Sequence, residues 1–140
     1  RAFFISFAHT DEHIDRFIQV GRGDGGNGTL NVSNGGRVQS LGVLVGTDVG
    51  AIGTLNLNAG RLDISGTFNS GLTAGQGGGM SVGRNGGLGT ASFVNGSVVN
   101  IESSSPRAGL IAGGSSTTVG GTGTVHISGG SVDRKSTRLN

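Results

Sequence analysis

The feature that most limits what this chain can fold into is a repeat. A Val/Ala-Gly pair, a glycine-rich gap, a Gly-Thr pair, alternating residues and a second glycine turn occur four times. The copies read VGRGDGGNGTLNVSNGGRVQS from Val20, VGTDVGAIGTLNLNAGRLDIS from Val45, VGRNGGLGTASFVNGSVVNI from Val82 and AGGSSTTVGGTGTVHISGGSVD from Ala112. Their Gly-Thr glycines, Gly28, Gly53, Gly89 and Gly123, are 25, 36 and 34 residues apart, so one unit is about 25 residues with additions. From these glycines to the next core positions, Val38, Leu62, Val98 and Val132, the distances are 10, 9, 9 and 9 residues. The additions therefore fall elsewhere, in the Gly- and Ser-rich residues 65–79 and 102–109. A fixed period of this length marks a solenoid, whose units cannot bury an apolar face alone and must stack.

Within each unit apolar and polar residues alternate, a period of two that specifies strand rather than helix. After Gly-Thr, one face carries Leu30 and Val32, Leu55 and Leu57, Ala91 and Phe93, and Val125 and Ile127. The opposite face carries Asn31, Asn56, Ser92 and His126. A one-residue slip would turn all of these side chains over, so the register is strongly specified. A second segment offers Val38, Leu62 with Ile64, Val98 and Val132; in the third copy VVNI permits either face. A third segment offers Val43 with Val45, Met80 with Val82, and Leu110 with Ala112. Coiling lets equivalent strands of successive units stack in parallel, about 4.8 Å apart, around one core. The expected fold is all-β: a parallel β-helix of about four coils with three short strands each, spanning residues 20–132.

Glycine supplies 31 of the 140 residues against 1 Pro, and with no Gly-X-Y period this excess is not collagen. In a coil it has a local cause, because corners need positive φ or close backbone approach. Bulky aromatics would crowd such a coil, and residues 20–132 hold only Phe68 and Phe93, whereas Phe3, Phe4, Phe7 and Phe17 precede them. The absence of Cys excludes disulfides, Cys-ligated metals and thiol nucleophiles. No apolar run approaches the roughly 18 residues of a membrane span. The net charge of +2 divides into −1 over residues 1–19, +1 over 20–132 and +2 over the last eight. Five dispersed arginines and no Tyr or Trp make a poor phosphate-tracking groove, so no nucleic-acid partner is expected.

The strings GTLNVSNGGRV, LGVLVGTDVGAIGTLNLNAGRLDI and GTGTVHISGGSV resemble the repeats of type V secretion (autotransporter) passenger regions and of PEP-CTERM-associated surface proteins. The resemblance covers residues 20–132. It implies a right-handed parallel β-helix on, or released from, a Gram-negative cell: outer-membrane-associated, surface-exposed or extracellular. Residues 1–18, RAFFISFAHTDEHIDRFI, are similar to the C-terminal segment of class III pyridoxal-phosphate aminotransferases. That family's cofactor lysine has no counterpart, since the only lysine is Lys135, and no cofactor is expected. By pattern, Thr10 to Gln19 predicts a short helix capped by Thr10, with Ile14, Phe17 and Ile18 on one face. Residues 1–19 are thus either a helical cap or a foreign, chimeric segment. Residues 133–140, DRKSTRLN, resemble a translated sequencing adapter and interrupt the repeat after Val132, which predicts a disordered tail.

The carboxylates are the first candidates for chemistry, because some parallel β-helices cleave polysaccharides with converging acids. Asp24 and Asp48 occupy comparable gaps in the first two copies, but the later copies hold Asn85, or Ser and Gly. The calcium repeat GGxGxDxUx fails because GGNGTLNV has Leu30 at the aspartate position. Arg22, Gly23 and Asp24 spell an RGD that reads as a turn. His9 and His13, four apart, would need a third metal ligand. The expectation is a non-catalytic structural or adhesive rod without metal. Its candidate contact row is Asn31, Asn56, Ser92 and His126, facing surface glycans or other cells. The alternative is a carbohydrate-active β-helix whose catalytic coils lie outside residues 20–132.

Overall fold

A computed structural model describes residues 17–65, 79–102, 109–114 and 120–135. These form twelve strands: β1 (Phe17–Arg22), β2 (Asn27–Ser33), β3 (Arg37–Ser40), β4 (Gly42–Thr47), β5 (Ile52–Asn58), β6 (Arg61–Ser65), β7 (Met80–Arg84), β8 (Leu88–Val94), β9 (Val98–Glu102), β10 (Leu110–Ala112), β11 (Thr122–Ser128) and β12 (Ser131–Lys135). Every third strand joins the same sheet, giving three four-stranded sheets in the orders β1-β4-β7-β10, β2-β5-β8-β11 and β3-β6-β9-β12. All pairings between them are parallel. The chain is therefore a parallel β-helix of four coils, each turn contributing one strand to each of three sides.

Six rows of inward-register positions run along the coil, and their members in the first three coils make most of the core. On the first side they are Ile18, Val43, Met80, Leu110 and Val20, Val45, Val82, Ala112. On the second they are Leu30, Leu55, Ala91, Val125 and Val32, Leu57, Phe93, Ile127. On the third they are Val38, Leu62, Val99, Val132 and Ser40, Ile64, Ile101, Arg134. Phe93 is fully buried beside Ala91 on the same strand, so a small residue makes room for the largest one. The last coil is open: Ile127 is 48% exposed and Val125 and Val132 are half-buried.

Three expectations need correction. Phe17 to Gln19, read as the end of a helix, belong to β1, where Ile18 and Val20 extend the Val43 and Val45 rows. Tertiary pairing with β4 overrides the local helical pattern; residues 10–16 of that expected helix lie outside the described residues. Val98 faces outward opposite Arg61, and Val99 takes the inward row. The cause is turn length. The β2–β3 and β8–β9 turns have three residues and the β5–β6 and β11–β12 turns two, so the core distance alternates. Finally, Asp133, Arg134 and Lys135, assigned to a tail, continue β12 opposite Asn100, Ile101 and Glu102. Residues 136–140 lie outside the described residues.

Candidate functional site

The second side carries the proposed contact face. Its strands are seven residues long, and the second, fourth and sixth positions point inward in one-to-one register, which leaves regular outward rows at the odd positions. Asn31, Asn56, Ser92 and His126 align in one such row across all four coils. The Asn56 amide donates to Asn31 Oδ1 at 2.9 Å, a side-chain ladder that fixes the first two rungs. Beside it runs a row the sequence reading did not single out: Thr29, Thr54, Thr90 and Thr124. The signal was present, because each is the threonine of a Gly-Thr pair. β-branched residues suit a pleated surface, and here four of them stand one strand spacing apart, about 4.8 Å. A third row, Asn27, Ile52, Leu88 and Thr122, adds two apolar side chains, 44% and 45% exposed at Ile52 and Leu88.

The third side is charged. Asp63 on β6 accepts hydrogen bonds from Arg61 Nε at 2.9 Å, Arg37 Nε at 2.7 Å and Asn100 Nδ2 at 2.6 Å. These residues come from three successive coils, so one carboxylate ties β3, β6 and β9 together. Burial pushes the Asp63 carboxyl up, but the hydrogen bonds from Arg61, Asn100 and Arg37 outweigh it and hold it below the usual carboxylate range. At the coil end, Lys135 Nζ approaches Glu102 at 3.8 Å.

The carboxylates considered for catalysis differ in their surroundings. Asp48 faces Arg22 at 3.6 Å, Asp24 is exposed in the β1–β2 turn, and Asp63 is taken up by cations and an amide. Arg22 of the RGD string also donates to Gln19 Oε1 at 2.8 Å, so its guanidinium is occupied on the rod's own surface. Leu30, at the would-be calcium aspartate, is a core residue only 7% exposed. No group of three or more His, Cys, Asp or Glu able to hold a metal ion occurs among the described residues. His9 and His13 lie outside them. A cavity of about 200 Å³ at the first coil is lined by Ile18 to Arg22 and Gly26 to Leu30 and includes no carboxylate. No family model, curated protein or solved structure matches the chain.

Proposed function

We propose that residues 20–132 are coils of a rod in a bacterial surface-exposed or secreted protein of autotransporter type, with a mechanical and adhesive role and no catalysis. The observation that supports this most directly is the unbroken register of the second side. Four coils pair residue for residue, so the outward surface is a regular lattice of Thr, Asn, Ser and His with Ile52 and Leu88 along one edge. A cleft is what a small substrate needs, whereas a flat, regular polar face suits a long partner met at many weak points. Surface glycans fit such a face through the Asn31, Asn56, Ser92 and His126 row and the adjoining threonines. Apolar rows inside and hydroxyls and amides outside also suit a spacer whose core is covered and whose surface is hydrated.

The test is to present the purified chain with polysaccharides, neutral and uronate-containing. The expected result is weak, avidity-dependent retention that falls when Thr54 and Asn56 are both replaced by Lys, without any cleavage product. Release of unsaturated uronides or new reducing ends would instead support the carbohydrate-active reading.

A further inference from the structure

The corner between the first and second sides holds an arginine that the rod does not explain. Arg84, at the end of β7, is only 5% exposed, and Thr47, its partner on β4, is 3% exposed. Arg84 Nη1, Thr47 Oγ1 and the neighbouring Asn85 Oδ1 are all buried without a hydrogen-bond partner. The backbone fixes this cluster in place. The Arg84 carbonyl accepts from Gly87 N at 3.0 Å and from Asp48 N at 3.1 Å, so the residue cannot drift out without breaking two coils' turns. The nearest carboxylate in sequence register, Asp48, turns instead to Arg22 at 3.6 Å.

A guanidinium is always charged, and burying it without a counter-charge is among the most costly arrangements in a protein interior. An anion would remove that cost. We propose that the Thr47–Arg84 rung binds a small free oxyanion of the phosphate or sulfate type. Arg84 Nη1 and the Thr47 hydroxyl donate to it, and the Asn85 amide, turned over, adds an N–H. Charge-assisted donors of this kind suit an oxyanion, and donors this deeply set favour one small ion over a chain of polymer. The site is independent of the glycan-contact reading, since none of its residues lies in the outward rows of the second side.

Equilibrium dialysis of the purified chain against radiolabelled phosphate, at constant ionic strength set with chloride, tests this. The wild type should retain a single equivalent that sulfate displaces. Arg84→Met should bind at least about tenfold more weakly and Thr47→Val several-fold more weakly, as expected for lost charge-assisted and neutral hydrogen bonds. In phosphate-free buffer Arg84→Met should melt no lower than wild type, and phosphate should raise the melting temperature of wild type alone. No displaceable phosphate on the wild type, or wild-type affinity in Arg84→Met, overturns the proposal. If Arg84→Met does not fold, undiminished binding by Thr47→Val overturns it equally.

Discussion

Gly46 and Gly53 are in backbone-to-backbone contact: a Cβ built on Gly53 would overlap the amide nitrogen of Gly46. Gly46, next to last in β4, has φ 65°, and Gly53 opens the inward-facing part of β5. The same pairing recurs in the other coils between Gly28 and Gly21, Gly89 and Gly83, and Gly123 and Gly113. The two glycines that bracket each repeat's gap therefore exist for each other, since the corner brings the chain back against itself. Gly53→Ala should destabilise the fold by at least about 3 kcal/mol, the mechanism being backbone overlap. Gly35→Ala, at φ 78° with nothing within 4 Å of the added Cβ, should cost only about 1 kcal/mol from its left-handed conformation. Chemical denaturation of both variants checks this, and equal losses would refute the close-approach account.

Burial along the rod predicts a gradient. Leu57 is fully buried between Val32 and Phe93, whereas Ile127, in the same row, is 48% exposed at the open coil. Leu57→Ala should cost about 2–5 kcal/mol, the range for a large side chain lost from a packed core. Ile127→Ala should cost under about 1 kcal/mol, because most of its surface already meets water. Urea midpoints of the two variants measure the difference.

Asp63 makes the stability pH-dependent. Its carboxyl is held below the usual range, so the folded state binds its proton less readily than the unfolded chain does. The contribution is present above the ordinary aspartate value, about 3.9, and is lost as pH falls through the lower folded-state value. Asp63→Asn should lower stability at pH 7 by roughly 1 kcal/mol, a figure kept small by the half-exposed Arg37 and Arg61 partners, and flatten the acid limb. Thermal melts between pH 7 and pH 2 on both proteins test it.

Much of this architecture could be read directly from the residues. Alternation in LNV, LNL, ASF and VHI sets the second side's register, and all eight inward residues named there point inward. The first coil's own first strand was hidden because TDEHIDRFIQ also satisfies a helical pattern, and only pairing of Ile18 with Val43 decides between them. The facing of Val98 is open in the sequence because VVNI is apolar on both faces, and the three-residue Asn95-Gly96-Ser97 turn that settles it has no alternation to read. Arg134 shows the reverse case. It occupies the inward row of Ile64 and Ile101 with a charge, which marks in sequence the point where the apolar ladder stops. The Arg84 cluster left no periodic signal at all, since its meaning depends on burial at one corner.

Successive units stack one rung at a time, and disulfide trapping in this cysteine-free chain measures that stacking directly. Cysteines at positions 29 and 54, 54 and 90, or 90 and 124 would lie across neighbouring rungs, about 4.8 Å apart at Cα, within the reach of a disulfide. Positions 29 and 90 would be two rungs apart, about 9.6 Å, and beyond it. The β-helix predicts rapid oxidation of the three adjacent pairs with little cross-linking between 29 and 90. Cross-linking of 29 to 90 as fast as 29 to 54, or of none of the pairs, would contradict it.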